Sequence, residues 1–347
     1  MSLTEIGLYR QYMERVLSDE FPWKRLEGKN ILVTGATGMI GSFLVDVLMS
    51  NGQAGYQVWI CGRSEEGARK RFASYWENPR FHFLSQDLTE PVNSDILFQY
   101  IIHAAGFSFP AAFSSDPVGT LRGTILGTDN LLRYGTAHGM ERMLYVSSAE
   151  VYGESDSPTE WKEHDSGYVD VTAPRSCYPT SKRAAENLCA CYHAQFGTDV
   201  VTVRPSHTYG PAFTKADNRV YVQFIRNAVS GQDIVLKSAG TQSRSYCHVA
   251  DCVSALLFAL FYGESGQAYN ISDENSFISI RELAEITARA GHVNVVYHEA
   301  DESEKRAFSP NESTRLDNTA IKKLGWKPMI PVTQGIPDTL EIVKNIL

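Results

Sequence analysis

No stretch of this 347-residue chain is apolar for long enough to cross a bilayer, since its longest apolar runs fall far short of the roughly 20 residues a spanning helix needs. Positive charge is also short: 32 Lys and Arg against 40 Asp and Glu leave a net charge of -8. That balance argues against a nucleic-acid or membrane surface as the main partner, and any anionic ligand must be met by local arginines. Cysteine is sparse. Cys61, Cys177, Cys189, Cys191, Cys247 and Cys252 show no metal-ligand spacing, so no metal site is expected. Cys189 and Cys191 lie two apart on a predicted helix and cannot face each other, which suits reduced thiols and a cytoplasmic setting. Internal repeats and low-complexity tracts are absent. The first residues carry Glu5, Arg10, Glu14, Arg15, Asp19 and Glu20, unlike a signal peptide. What remains is an ordinary globular composition, 43% hydrophobic and 21% charged, on a chain longer than one core usually serves.

The stretch Asn30-Ile-Leu-Val-Thr-Gly35-Ala-Thr-Gly38-Met-Ile-Gly41 organises the rest. A short apolar run breaks into a glycine turn, then Ile40, Phe43, Leu44, Val47 and Leu48 recur at one-face helical spacing. Such a strand, turn and helix suits a dinucleotide. One glycine permits the tight turn, one lets the backbone approach a pyrophosphate, and one lets helix and strand pack closely. The free N–H groups of the first helical turn then face the phosphates.

Before Gly28, a lead-in helix carries Ile6, Tyr9, Met13, Val16 and Leu17 on one side. After the glycine turn, Gln57–Cys61, Phe81–Leu88 with a polar end, Tyr100–Gly106 and Met143–Ser147 are predicted strands, with a long helix from about Asp116 to His138 between the last two. Val200–Pro205 gives a sixth strand. Alternation of this kind predicts an α/β fold, a Rossmann-type doubly wound parallel sheet with ligands beyond the carboxyl ends of its strands. The second strand ends in Gly62-Arg63, without the acid that would bind the ribose hydroxyls of NAD. Arg63 therefore favours NADP, with Arg69, Lys70 and Arg71 as candidate helpers. Asp87 and Leu88 end the third strand, and Ala104, Ala105 and Gly106 end the fourth, where small residues let a cofactor lie against the backbone. His103 is read as a packed strand residue. Beyond Pro205 the rhythm changes, and further helices are predicted after Asp217, over Ala250–Tyr262, around Leu283 and Ile286, at Ile321 and Leu324, and from Val332. The expected domains are an extension over 1–28, a nucleotide domain over 29–204 with about 242–270, and a smaller C-terminal substrate-binding domain over 205–241 and 271–347.

Tyr178-Pro-Thr-Ser-Lys182 opens a helix, and the four-residue spacing puts phenol and ammonium on one face. A cation about 4 Å away, at an effective dielectric of ~20, contributes about 4 kcal/mol. That is roughly three pKa units, enough to bring a phenol into range for acid/base work.

Together these motifs resemble the extended short-chain dehydrogenase/reductases, the NAD-dependent epimerase/dehydratase family, and among its subgroups the UDP-glucuronate decarboxylases. The likeness runs from about Gly28 to the C-terminus and is carried by Gly35-x-x-Gly38-x-x-Gly41, His103-Ala-Ala with Pro110, Glu150-Val-Tyr-Gly, Pro174-Arg-Ser-Cys-Tyr178, Asp217-Asn-Arg219-Val and Arg244-Ser-Tyr-Cys-His-Val-Ala-Asp. The resemblance implies that Gly35, Thr37, Gly38, Met39, Ile40, Gly41, Arg63, Asp87, Leu88, Ala104, Ala105, Gly106, Tyr178 and Lys182 hold NAD or NADP. It implies that Tyr178 takes the proton from a sugar hydroxyl as hydride leaves, giving a 4-keto sugar nucleotide, with Ser148 on the same oxygen and Lys182 holding the nicotinamide ribose. Glu150 would do the proton work of the step that follows. Pro110, Ser148, Arg175, His207, Arg219 and Arg244 would bind the substrate, the last two arginines gripping the diphosphate. Ala149, His207 and Thr124 depart from the family pattern. Decarboxylation or dehydration is the leading reading, 4-epimerisation the alternative, and a non-catalytic cofactor-binding regulator the alternative of another class. By the same likeness, the helices at Asp116–His138 and Tyr178–Gln195 should form a homodimer interface.

Overall fold

Ile31, Leu32 and Val33 are consecutive and all fully buried, so the strand that holds them, β1 (Asn30–Thr34), must be covered on both faces. In the computed structural model, which describes residues 2–52, 55–106, 110–155, 160–298 and 313–346, it is flanked by parallel neighbours. These include β2 (Gln57–Gly62), β3 (Phe81–Ser85), β4 (Tyr100–His103) and β5 (Arg142–Val146). The two-residue β6 (Glu160–Trp161) lies outside this sheet, and β7 (Val200–Pro205) joins it beside β5. The chain then leaves for β8 (His207–Tyr209), β9 (Ile234–Leu236) and β10 (Ser243–His248), and returns with β11 (Ala268–Ile271). The resulting order is β11-β7-β5-β4-β1-β2-β3, all parallel. Strand order reverses between β1 and β4, and the crevice beyond their carboxyl ends is where such a sheet takes ligands.

The sequence reading stops this sheet at Val200–Pro205, whereas β11 adds a seventh strand. Its four residues, Ala-Tyr-Asn-Ile, are too few for a period to show. A second sheet has the order β12-β10-β14-β6, with β12 (Phe277–Ser279) and β14 (Ser313–Leu316) beside β10, and β8 also pairs with β10. β13 (Val295–Tyr297) pairs with β9.

Among the described residues the α-helices are α1 (Gly7–Leu17), α2 (Met39–Ser50), α3 (Glu65–Arg71), α4 (Pro110–Ser115), α5 (Pro117–His138), α6 (Cys177–Phe196), α7 (Val220–Val229), α8 (Val249–Tyr262), α9 (Ile280–Gly291), α10 (Thr319–Lys323) and α11 (Val332–Ile346). Asp116 caps α5 by accepting from Gly119 N, Pro117 opens it, and Gly139 closes it in the left-handed conformation. α5 and α6 pack against each other on one face of the main sheet. α2 and α8 pack on the other, where α8 is buried over most of its length.

The lead-in helix α1 contacts α2, α8 and α11. Tyr9 donates to Asp46 at 2.6 Å, and Arg71 reaches the same fully buried carboxylate at 2.5 Å. Breaking such a buried pair from one side costs about 3–5 kcal/mol. Arg71 is thereby committed to the interior and does not assist Arg63, contrary to the sequence expectation. On its other side α1 reaches α11, where Tyr12 donates to Asp338. Phe21 fits between Phe258 and Phe261 of α8.

Candidate active site

Strands β1 to β5 of the main sheet deliver predicted site residues to one edge. β1 ends in the glycine turn, and α2 begins at Met39 with Gly38 as its extended N-cap. The turn is tight enough to exclude side chains: Gly35 has φ of 66°, and a Cβ there would lie 2.3 Å from the Ala104 carbonyl oxygen. A Cβ on Gly41 would lie 2.3 Å from the Gly35 oxygen. Thr37 and Gly38 are left exposed at the turn, with the N–H groups that open α2 beside them, a cradle that fits a pyrophosphate.

Ala104 and Ala105 follow β4 and bond back to Thr34, through its carbonyl at 3.3 Å and its hydroxyl at 3.2 Å. Gly106 continues them at φ of 144°. Asp87 follows β3; the backbone N–H and hydroxyl of Thr89 donate to its carboxylate, and Arg63 adds a weaker attraction, so its pKa lies below the ordinary value. Arg63 itself is exposed at the end of β2. Leu88 packs under α5, its carbonyl accepting from Asn130 at 2.8 Å. His103 is buried between Thr34 (2.7 Å) and Thr128 (3.1 Å) and is pushed down to about 3, by burial first and Lys182 second. It is a packed strand residue, as read from the sequence. Thr124 is buried in α5 with its hydroxyl on the Thr120 carbonyl at 3.0 Å.

Ser148 lies just past β5, where its hydroxyl favours the ionised form of the Tyr178 phenol and its oxygen accepts from Glu150 N at 3.2 Å. Tyr178 and Lys182 share the buried face of α6 with Ala185 and Cys189. Lys182 donates to the Val146 carbonyl at 2.7 Å, and its ammonium sits 5.9 Å from the centre of the Tyr178 ring. Burial pushes it down to about 8. Tyr178 is pushed up to about 12, by burial first and the Glu150 charge second. Ser148, Arg219 and Arg175 pull the other way. The expectation that Lys182 lowers this phenol is therefore corrected: the ammonium is spent on a carbonyl, and burial, which a sequence does not display, outweighs the nearby cations.

The remaining residues close around the phenol. Glu150 receives both terminal nitrogens of Arg175, at 3.2 and 3.3 Å. Arg175 lies 4.8 Å over Phe113, which stacks on Tyr178 with ring centres 4.5 Å apart and planes 17° apart. Pro110 opens the short helix that carries Phe113. Arg219 forks onto Asp217, its Nε at 3.0 Å, and Arg244 is buried with one nitrogen on the Ser243 carbonyl at 2.9 Å. His207 begins β8, its ring 5.8 Å from that of Tyr246. Phe113 and Asp217 had no role in the sequence reading, and nothing in the spacing singles out Phe113. The arrangement brings the Tyr178 phenol, a carboxylate held by an arginine and the Arg219 guanidinium close together, on the same side of the sheet as the glycine turn.

Residues 31–272 match the model of the NAD dependent epimerase/dehydratase family. UDP-glucuronic acid decarboxylase 6 of Arabidopsis thaliana is 33% identical over 309 residues, covering 88% of this chain and 86% of the relative. UDP-glucuronic acid decarboxylase 1 of Xenopus tropicalis is 28% identical over 97% of this chain and 78% of its own. Among solved structures, a UDP-glucose 4-epimerase from Thermotoga maritima superposes with a TM-score of 0.79 at 23% identity, covering 91% of this chain and 99% of that one. A dTDP-glucose 4,6-dehydratase from Streptomyces venezuelae, solved with NAD bound, superposes with a TM-score of 0.78 at 24% identity, over 91% and 97%.

Proposed function

Because the chain belongs to the NAD dependent epimerase/dehydratase family and is an enzyme of that class, we propose that it oxidises a nucleotide-bound uronic acid at C4, removes its carboxylate as carbon dioxide, and reduces the ketone again. The observation that carries this reading is the grouping of Glu150 and Arg175 beside the Tyr178–Phe113 stack. A dinucleotide in the glycine cradle, held by Gly35 to Gly41, Ala104 to Gly106 and Lys182, supplies the capacity to accept and return hydride. Tyr178 takes the proton of the sugar hydroxyl, and Ser148 orients the same oxygen. Once C4 is a ketone, the bond to the carboxylate carbon breaks with its electron pair flowing toward the carbonyl, and Glu150 manages the proton that then goes to C5.

Decarboxylation is favoured over dehydration by Ala149. It is buried against Val151, Tyr152, Trp161 and Leu316 and offers neither carboxyl nor hydroxyl, so Glu150 stands alone. Loss of water would need one group to remove a proton and one to protonate the departing hydroxide. Loss of carbon dioxide needs only a proton returned. The alternative, 4-epimerisation, is favoured only by this same absence of a second acid.

Arg63 stands exposed at the end of β2 with no acid on its strand, which supports NADP over NAD. The test is incubation with a panel of UDP-, dTDP-, GDP- and CDP-sugars with each cofactor. The expected result is carbon dioxide from UDP-glucuronate without net cofactor consumption, and tighter binding of NADP than NAD. Products that are 4-epimers alone would overturn the decarboxylase reading, and equal cofactor affinities would remove the NADP preference. We place the second copy of a homodimer on α5 and α6, where Leu121, Ile125, Leu188 and Tyr192 stay partly exposed. Light scattering at micromolar protein should give twice the monomer mass. The two domains are the parallel sheet with its helices and the β12-β10-β14-β6 sheet with α7, α9 and α11, and cytoplasmic residence goes with the free thiols.

A further inference from the structure

His207 has no part in the chemistry above, yet it lies among the groups that would hold the substrate. It opens β8, and the parallel register with β10 sets it opposite Tyr246, two residues along from Arg244. The residue is exposed, while Arg244 beside it is buried and Arg219 is fixed by its fork onto Asp217. Two guanidinium charges, one from β10 and one from the segment that leads into α7, therefore act on a solvent-reachable imidazole. Among the described residues, the other titratable groups of this region include the phenol of Tyr246, the Asp217 carboxylate committed to Arg219, the Tyr178 phenol within reach of Arg219, and Glu150 within reach of Arg244.

With two fixed positive charges next to it, a third is unfavourable, and the imidazole is neutral at physiological pH. Its pKa lies below the ordinary value, by the protein packed around the ring first, then by Arg244, whose strand register sets it two residues from the pairing partner of His207, then by Arg219, whose guanidinium reaches the neighbouring Thr208 carbonyl at 3.3 Å. A diphosphate placed between the two arginines reverses the sign of that field. The part of the shift that comes from the arginines is thereby offset, and protonation becomes easier in the complex than in the free protein, because two phosphate charges now face the ring.

We propose that His207 takes up a proton as the diphosphate of a nucleotide sugar binds, so that three cations hold the anion and substrate affinity rises as the pH falls. This rests on the nucleotide-sugar reading of the site. The sign follows from linkage: a group whose pKa is higher in the complex than in the free protein binds protons with the ligand. Affinity then climbs as pH falls through the pKa of the complex and levels off only near that of the free protein. Histidine is the residue through which a binding site can sense pH between 5 and 8.

The experiment is isothermal titration of the protein with UDP-xylose, whose diphosphate diester and neutral sugar do not titrate in this range, at pH 5.5, 6.5 and 8.0. At pH 6.5 it is repeated in buffers of different ionisation enthalpy. Wild-type protein should bind about tenfold more tightly at pH 5.5 than at pH 8.0, with measurable proton uptake at pH 6.5. His207→Asn retains a hydrogen-bonding side chain that does not titrate, so it should bind with flat affinity and no proton uptake. His207→Gln should behave alike, and thermal melts of both variants verify folding. Wild-type binding that is independent of pH, or a slope that persists in both variants, overturns the proposal while leaving the nucleotide-sugar reading intact. Failure of any UDP-sugar to bind at any pH would instead sink that reading, and this one with it.

Discussion

Tyr178→Phe is expected to lower turnover by about 10³–10⁴ while leaving melting temperature and nucleotide-sugar affinity close to wild type. The substitution removes one oxygen and nothing else from a ring that is 6% exposed and stacked on Phe113. The apolar contacts therefore survive, and so does the packing of α6. What is lost is a phenol that faces Ser148 and lies within reach of the Glu150, Arg175 and Arg219 charges. Burial keeps that phenol protonated far above neutral pH, so in the resting enzyme it is an acid, and it can act as a base only where developing charge is stabilised around it. Ser148 and Arg219 are the groups placed to do so. Comparing kcat with UDP-glucuronate against the Kd for UDP-xylose separates chemistry from binding. A fall of less than about tenfold in kcat would remove Tyr178 from the proton-transfer role, and an equal loss in binding would recast it as structural.

The pieces of this site that a sequence displays are those whose chemistry is local. The glycine turn is local because the backbone around Gly35 and Gly41 leaves no space for Cβ, and Tyr178 and Lys182 are local because four residues make one helical turn. The fold was legible for the same reason: nine helices and six strands carry their own periodicity, while β11 and the short strands of the second sheet are too brief to do so. Contacts between distant segments left no such trace. Glu150 and Arg175 were both candidates, but their ion pair joins a strand end to the entrance of α6 and has no period to reveal it. Phe113 is unremarkable until α4 lays it on Tyr178. Arg71 looked like a cofactor helper because it ends a basic helix, and only the path of α1 shows that Asp46 claims it. The phenol was the clearest case. Charge spacing argued for a lowered pKa, and the desolvation that raises it depends on what surrounds the residue in space.

Glu150→Gln is expected to slow release of carbon dioxide about 10²–10³-fold while oxidation at C4 continues, so that the 4-keto sugar accumulates. The replacement keeps the shape of the side chain and one oxygen for Arg175, but it gives up the negative charge and the exchangeable carboxyl proton. Stability should change little, because Arg175 and Glu150 are 32% and 36% exposed and a pair open to water contributes at most about 1 kcal/mol. Two consequences oppose each other at Tyr178. Loss of the Glu150 charge removes the second-largest cause of the raised phenol pKa, which favours deprotonation of the phenol and hence the oxidation step. The later steps lose their proton carrier, because Ala149 beside it has none to offer. The variant should therefore separate the two halves of the reaction. UDP-glucuronate labelled with ¹³C in its carboxylate reports the first half by the 4-keto product and the second by labelled carbon dioxide, and deuterated water reports proton delivery at C5. Unchanged rates of carbon dioxide release and of deuterium delivery at C5 would assign the proton work to another residue. A matched loss of both halves would mean that Glu150 acts by positioning Arg175 and the Phe113–Tyr178 stack, and Arg175→Lys, which keeps the charge but not the fork, would then reproduce the defect.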